Sequence, residues 1–305
     1  MKNILITIVG PTAIGKTALS ILLANHFKSD IISCDSRQFY KEMTIGTAVP
    51  DANELAAAKH HFIQNRSIFE DYNVGQFEKD ALQKLDDLFL ENQIQIMVGG
   101  SGLYVDAVLK GLDYFPKVNP EIRVNLNEQL AKKGLENLQA QLKELDIATY
   151  NTIAIDNPQR VIRALEICIG TTTPYSTFKN KPKSPRNFKS IKIGLMADRE
   201  IIYDRINKRV DIMLENGLLN EAKQLHQHKH LNALQTVGYR ELFSYFDDLF
   251  TKEFAISEIK KNTRRFAKRQ ITWFKKDLDT IWFDNQTDSS LIIQEISEKI
   301  NLIKV

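Results

Sequence analysis

Short apolar runs alternate with stretches of helical periodicity along this chain of 305 residues. Four runs have the length of buried strands, and they cover residues 4–9, 30–34, 94–98 and 191–196. The segments between them carry apolar residues at helical spacing. This order predicts an α/β fold in which helices wrap a parallel sheet. Because ligands of such sheets lie beyond the carboxyl ends of the strands, we expect function in the loops that follow the runs.

Residues 113–190 differ in character from the rest. Asn119-Pro120-Glu121 has a capping residue, a proline at the first helical position and an acidic first turn. Helical patterns cover residues 121–133 and 135–145, and a third begins at Asn157-Pro158 and runs to about residue 169. Prolines among basic residues predict a loop over 171–190. We therefore predict a helical insertion, 113–190, in a core formed by residues 1–112 and 191–305, with helix from residue 199 almost to the end.

The loop after the first run carries the clearest motif. It reads Gly10-Pro11-Thr12-Ala13-Ile14-Gly15-Lys16-Thr17 between an apolar run and a helical pattern. The glycines let backbone N–H groups surround a polyphosphate, and the N-terminus of the following helix favours an anion. Lys16 adds a positive charge, and Thr17 offers a hydroxyl to Mg²⁺. The motif predicts a phosphate-bearing ligand, Mg²⁺ and a core of the phosphate-loop NTPase type, without specifying a nucleotide.

Polar or glycine-rich segments follow the other three runs as well. Asp35 follows the second run, where an aspartate can hold Mg²⁺ through water, act as a general base or cap a helix. Gly99-Gly100-Ser101-Gly102 follows the third run and allows close approach to a ligand. Arg205 and Arg209 lie four residues apart in the helix predicted after the fourth run. They can neutralise a diphosphate, or form exposed salt bridges with nearby aspartates.

Basic residues line up four apart over residues 259–276. One row is Lys260, Arg264 and Lys268, and the next is Lys261, Arg265 and Arg269, with no acid between them. Like charges at this spacing destabilise an isolated helix by roughly 0.2–0.5 kcal/mol per pair. Two interpretations remain open: a nucleic-acid backbone covers the rows, which we favour, or the helix has a solvated basic face.

Bulk composition narrows the class of protein. The chain is 43% hydrophobic and 26% charged, as in ordinary globular proteins, and its net charge of +3 means that nucleic-acid binding must come from local clusters. Cys34 and Cys168 make no metal-ligand pair, and we expect free thiols in a reducing compartment. The first apolar run is too short for a signal peptide, and no stretch is long enough to cross a membrane. We expect a cytoplasmic, monomeric protein without membrane contact.

Taken together, these motifs resemble the tRNA dimethylallyltransferases, the isopentenyl transferases that modify adenosine beside the anticodon. The resemblance runs from residue 4 to about residue 282. It is carried by GPTAIGKT at 10–17, ISCDSRQFY at 32–40, VGGSGLYVDAVLKGL at 98–112, NPQRVIRALEI at 157–167, TVGYREL at 236–242 and TRRFAKRQITWF at 263–274. It implies transfer of a dimethylallyl group from dimethylallyl diphosphate to N6 of adenosine 37 in tRNA. Mg²⁺ is the implied cofactor, and the insertion would close on the anticodon stem-loop.

The resemblance also implies roles for single residues. Residues 10–17 would hold the donor diphosphate, Thr17 would bind Mg²⁺, Asp35 would be the general base, and Lys16 and Arg209 would stabilise the leaving diphosphate. The residues implied to contact tRNA are Asp35, Ser36, Arg37, Gln38, Ser101, Arg123, Gln159, Arg160, Val161, Ile162, Arg163, Gln235, Thr236, Val237, Gly238, Tyr239 and Arg240. From the basic rows we add Lys260, Arg264 and Lys268.

The implied reaction agrees with elementary chemistry. The lone pair of adenine N6 is delocalised into the ring, so a base that takes its proton as the bond forms would help, and Asp35 is the candidate. The adenine must also leave its stack to reach the site. Other classes stay open. A phosphate-loop small-molecule kinase or an adenylate isopentenyltransferase leaves the basic helix unexplained, and a non-catalytic RNA-binding ATPase leaves Asp35 unexplained.

Overall fold

A six-stranded parallel sheet lies at the centre of the computed structural model, which describes residues 2–304. The strands are β1 Asn3–Val9, β2 Ile31–Ser33, β3 His60–His61, β4 Ile94–Val98, β5 Phe188–Met196 and β6 Ile281–Asp284. Their order across the sheet is β3-β2-β4-β1-β5-β6, and each neighbouring pair is parallel. The predicted α/β class is confirmed.

Helices connect and flank the strands. They are α1 Lys16–Phe27, α2 Ala52–Ala57, α3 Val74–Glu91, α4 Gly102–Lys110, α5 Pro120–Leu145, α6 Ile147–Thr152, α7 Pro158–Thr171, α8 Arg199–Glu215, α9 Leu218–Leu225, α10 Tyr239–Phe246, α11 Lys252–Phe274 and α12 Ser289–Lys304. Within the described residues, none of these helices is both long and apolar enough to cross a membrane.

The sheet is buried on both faces. Along β1, Ile4, Ile6 and Ile8 belong to one hydrophobic cluster, and Leu5 and Val9 belong to the cluster on the opposite face. Side chains alternate between faces along a strand, so a strand covered on both sides reads as a continuous apolar run. This is why the sequence pattern identifies β1, β4 and β5.

The chain forms two compact units. The first comprises the residues up to Lys110 and those from Arg186 onward, and the second is Gly111–Pro185. The second unit contains α5, α6 and α7 around its own apolar cluster. Gly134 has φ 78° and ψ 175°, so α5 is broken where one predicted helical pattern ends and the next begins. The predicted insertion, 113–190, extends into the start of β5.

Two strands were not expected from the pattern. The expectation of helix from residue 199 almost to the end is wrong at β6, which pairs with β5 at the edge of the sheet. β3 has only two residues and pairs with β2 at the other edge. The two histidines of β3 form no apolar run, and the run Ile281-Trp282-Phe283 in β6 is too short to show a period that separates strand from helix.

Candidate active site

The loop between β1 and α1 adopts backbone angles that favour glycine at two of its positions. The φ angle is 144° at Gly10 and 111° at Gly15. A Cβ on Gly10 would lie 2.6 Å from the carbonyl oxygen of Leu195 in the neighbouring strand β5. Gly15 directly precedes α1, so the unpaired N–H groups of the first helical turn face the loop. This is the backbone arrangement that an anion site at a helix N-terminus requires.

The Lys16 ammonium lies over this loop. Its Nζ donates to the carbonyl oxygen of Pro11 at 2.7 Å. A Cβ on Gly100 would lie 3.8 Å from the same Nζ, so Lys16 is also beside the second glycine loop. Burial lowers the pKa of Lys16 to about 8, Asp35 opposes this shift, and Arg209 adds to it. A bound anion would replace the solvation that Lys16 has lost.

Two arginines of α8 turn toward the same loop. Arg205 Nε donates to the carbonyl oxygen of Ala13 at 2.7 Å, and Arg209 Nη1 lies 3.5 Å from Thr12 Oγ1. Burial lowers the pKa of Arg209, and the neighbouring Arg205 acts in the same direction. Of the two interpretations of these arginines, the contacts favour neutralisation of an anion at the loop. The nearby aspartates pair with lysines instead, Asp204 with Lys208 and Asp211 with Lys260.

Asp35 follows β2 at the carboxyl edge of the sheet and is partly buried. Its Oδ1 accepts from the backbone N–H of Arg37 at 3.1 Å. Burial raises the pKa of the Asp35 carboxyl, opposed by that N–H and by Lys16. A carboxylate with a raised pKa is a stronger base than a solvated one. The second glycine loop borders both groups, since a Cβ on Gly100 would lie 3.8 Å from Lys16 Nζ and Ser101 bonds to Ser36, the neighbour of Asp35. The candidate base and the phosphate loop therefore share one site.

The turn after Asp35 is fixed by neighbouring segments. Ser101 Oγ accepts from the N–H of Ser36 and donates to its hydroxyl, each at 3.1 Å. Arg37 Nη1 donates to the carbonyl oxygen of Asn232 at 3.0 Å. Gln38 Nε2 donates to the carbonyl oxygens of residues 47 and 48 at 3.2 and 2.8 Å. The sequence predicts that Ser36, Arg37, Gln38 and Ser101 contact tRNA. In the structure, their polar groups also form the hydrogen bonds that stabilise the turn.

Sequence reasoning missed two polar residues that organise the site, Gln270 and Glu221. Gln270 of α11 is only 6% exposed and bonds to both glycine loops. Its signal in the sequence is a polar residue on the buried side of a helix, at helical spacing from Ala267 and Phe274. Glu221 of α9 accepts from the backbone N–H groups of residues 44, 45 and 46. We find no signal in the local sequence that predicts its partners.

Some residues expected to contact tRNA have buried side chains. Val161 and Ile162 are fully buried in the apolar cluster of the second unit, because the stretch 159–163 lies on α7 and one face of a helix points inward. Tyr239 is also fully buried, and its hydroxyl donates to Glu221 Oε1 at 2.6 Å. These three side chains are core residues. In the same two stretches, the exposed side chains are Gln159, Arg160, Gln235 and Arg240.

The second unit carries a compact ionic cluster. Arg123 Nη2 and Arg163 Nη1 both donate to Glu166 Oε2, at 2.7 and 3.0 Å. Burial acts to raise the pKa of Glu166, but the hydrogen bonds from the two arginines hold it below its usual value. Both arginines are about two-fifths exposed, so each keeps a surface available to an anion.

The basic rows of α11 are partly neutralised within the protein. Lys260 pairs with Asp211 of α8 at 2.6 Å, and Arg264 Nη1 donates to Asn207 Oδ1 at 2.8 Å. Asp211 neutralises Lys260, so no polyanion is needed at that position, whereas Asn207 is uncharged and leaves the charge of Arg264 in place. Lys268 is exposed, and so are its basic neighbours Arg265 and Arg269. We therefore restrict the nucleic-acid contact predicted for α11 to residues 265–269, where the basic side chains are exposed.

Fold and site together define an α/β protein that carries a phosphate loop and a carboxylate at one edge of its sheet. The cationic side chains of Lys16, Arg205 and Arg209 lie around the loop. The sequence model of the IPP transferase family matches residues 38–277, more than half of the chain, and the chain belongs to this family.

Proteins similar to this chain in sequence and in structure carry names from the same family. The chain is 63% identical over 304 residues to a tRNA dimethylallyltransferase of Flavobacterium psychrophilum, an alignment that covers 98% of this chain and 99% of that protein. Among solved structures, it is similar to the tRNA isopentenylpyrophosphate transferase of Bacillus halodurans, with 36% identity, a TM-score of 0.72 and coverage of 98% and 96%. It is also similar to a eukaryotic dimethylallyltransferase acting on tRNA, with 27% identity, a TM-score of 0.82 and coverage of 99% and 80%.

Proposed function

We infer that this protein transfers a dimethylallyl group from dimethylallyl diphosphate to N6 of adenosine 37 in tRNA and releases diphosphate. The observation that carries this inference is the position of the phosphate loop and the Asp35 turn on either side of the second glycine loop, in a member of the IPP transferase family. The names of its relatives, which are tRNA dimethylallyltransferases, support tRNA as the acceptor.

The donor side of the reaction uses the phosphate loop. Its backbone N–H groups, Lys16 and Arg209 bind the diphosphate and stabilise the charge that develops on the bridging oxygen as the allylic C–O bond breaks. The Thr17 hydroxyl lies partly exposed in the first turn of α1, and a hydroxyl is a hard oxygen donor. It fits Mg²⁺, which commonly takes one or two protein oxygens together with phosphate and water oxygens. When bound there, Mg²⁺ supplies further charge neutralisation to the leaving diphosphate.

The acceptor side uses Asp35. As the allylic carbon forms its bond to N6, the N6 proton passes to the Asp35 carboxylate, so the adenine remains neutral. Burial raises the pKa of Asp35 and prepares it for this proton. The exposed Gln159, Arg160, Gln235, Arg240 and Lys268 are proposed to contact the tRNA, and those that meet phosphates position it without reading its sequence.

A substrate matrix tests this proposal. Purified protein is supplied with labelled dimethylallyl diphosphate or ATP, and with a tRNA transcript carrying adenosine 37 or with AMP. We expect label to move only from dimethylallyl diphosphate to tRNA. Prenylation of AMP would favour the free-nucleotide enzyme, and phosphate transfer from ATP would favour a kinase; either result in place of tRNA prenylation contradicts the proposal.

A variant of the base separates chemistry from binding. Asp35→Asn should lower kcat by roughly 10²- to 10⁴-fold, the usual contribution of a general base. Its affinity for tRNA, measured by filter binding, should stay within about threefold of wild type, because backbone phosphate contacts supply most of that affinity. Turnover near the wild-type rate would remove Asp35 from the mechanism.

A further inference from the structure

Gln270 is a buried amide with both of its polar ends occupied. It lies on the inner face of α11 and is 6% exposed. Its Oε1 accepts from the backbone N–H of Thr12 at 2.9 Å, and its Nε2 donates to the carbonyl oxygen of Gly100 at 2.9 Å. A buried amide without such partners would destabilise the fold, so its hydrogen bonds fix where each partner lies. One side chain therefore links the phosphate loop to the second glycine loop.

The link continues to the candidate base. Gly100 is followed by Ser101, whose hydroxyl accepts from the N–H of Ser36 and donates to the Ser36 hydroxyl, each at 3.1 Å. Ser36 directly follows Asp35. Hydrogen bonds and short pieces of backbone thus connect Thr12, at the diphosphate side, with Asp35, at the acceptor side. Gln270 is the only side chain of this connection that comes from the C-terminal half of the described chain.

The close fit at Gly100 supports a specific role for this amide. A Cβ on Gly100 would collide with Gln270 Nε2. The absence of a side chain at this position is therefore what lets the amide reach the carbonyl oxygen. A side chain at position 100 would therefore displace the Gln270 amide from this contact.

We propose that Gln270 is a positioning residue that sets the spacing between the phosphate loop and the Asp35 turn. This proposal rests on the proposed function. Transfer requires the allylic carbon, held through its diphosphate, to meet N6 at bonding geometry while Asp35 receives the proton. Misplacement of reacting groups by about 1 Å can lower a rate by about 100-fold even when each substrate still binds.

The first test is Gln270→Leu, which keeps the approximate volume and removes both hydrogen bonds. We expect kcat for transfer to tRNA to fall by about 10- to 100-fold. The dissociation constants for inorganic diphosphate and for tRNA should stay within about threefold of wild type. The matched control is Thr272→Ala on the exposed face of the same helix, which should leave kcat unchanged. A fall in kcat that is matched by weaker diphosphate or tRNA binding would overturn the proposal, as would unchanged kcat.

The second test is Gln270→Glu and remains informative if the leucine variant does not fold. An ionised glutamate can accept from Thr12 but cannot donate to Gly100, whereas a protonated glutamate can do both. Burial raises the pKa of a carboxyl group, so protonation is expected in an accessible pH range. We expect the ratio of variant to wild-type kcat to rise at least fivefold between pH 8.5 and pH 6. These two pH values are about two and a half units apart, so a carboxyl group whose pKa lies midway between them changes from mostly ionised to mostly protonated.

Dividing by the wild-type kcat at each pH removes the part of the Asp35 titration that both proteins share. A ratio that does not change with pH would overturn the role of Gln270. A wild-type protein that transfers no dimethylallyl group to tRNA would instead overturn the proposed function, so the two failures are distinguishable.

Discussion

Replacing Glu221 by glutamine tests how far one carboxylate organises the segment after β2. Glu221 Oε2 accepts from the N–H groups of Thr44 and Ile45 at 3.0 and 2.8 Å. Its Oε1 accepts from the N–H of Gly46 at 2.9 Å and from the Tyr239 hydroxyl at 2.6 Å. The adjacent carbonyl oxygens of this segment accept from Gln38, so Glu221 supports the turn that begins at Asp35.

The expected loss follows from these contacts. Glutamine keeps one acceptor oxygen and presents an NH₂ group to donors on the other side, so up to two hydrogen bonds to a charged acceptor are lost. Each such bond is worth about 1.5–3 kcal/mol, and the N–H of Thr44 is exposed and loses less. We expect Glu221→Gln to lower the free energy of unfolding by about 2–4 kcal/mol. Tyr239→Phe removes one donor and should cost about 1–2 kcal/mol.

Urea denaturation at pH 7 measures both losses as shifts of the midpoint at constant slope. Asp204→Asn is the matched control, since among the residues that the structure describes this carboxylate pairs only with Lys208, and both side chains are more than half exposed. It should change stability by at most about 0.5 kcal/mol. A Glu221→Gln variant within 1 kcal/mol of wild type, or one more stable than Tyr239→Phe, would refute this account of the segment.

Two further predictions concern charge. A hydrogen bond from Lys192 lowers the pKa of Asp277 to about 2, against a usual value of 3.8, and burial opposes this shift. The ionised Asp277 therefore contributes its full stabilisation of the fold above about pH 4, and this contribution is lost as the pH falls toward 2. Asp277→Asn should therefore lower stability at pH 7 by about 2–3 kcal/mol in urea denaturation, and a loss under 1 kcal/mol would contradict the ion pair. Lys268→Gln should reduce the slope of log K against log salt for tRNA by roughly one unit or less. Arg264→Gln should reduce it less, because Arg264 bonds to Asn207; equal effects in filter binding would refute that distinction.

The central strands and the phosphate loop are predictable because their information is local. Residues 4–17 carry strand, loop and helix signals in one stretch, and a buried parallel strand reads as an uninterrupted apolar run. The rule that ligands lie at the carboxyl edge then selects Asp35 without any knowledge of the structure. The edge strands escape this reasoning because β3 consists of two histidines, and the three apolar residues of β6 show no period of their own.

The rest of the site depends on distant parts of the chain. Gln270 is 170 residues from its partner Gly100, and Glu221 is 176 residues from Ile45. No local pattern specifies which polar side chain of a late helix will reach an early loop. The same limit applies to Val161 and Tyr239, because a motif marks a stretch of residues without telling which side chains face the core.

The most direct measurement of the central claim is the nucleoside composition of tRNA from cells with and without this protein. Digested tRNA is analysed by mass spectrometry, and position 37 is located in fragments of single tRNAs. The account predicts N6-(dimethylallyl)adenosine at position 37 only where the protein is present, and its loss in cells that carry the Asp35→Asn variant. Unmodified adenosine 37 in cells with the wild-type protein, or the modified nucleoside in cells without it, would contradict the account.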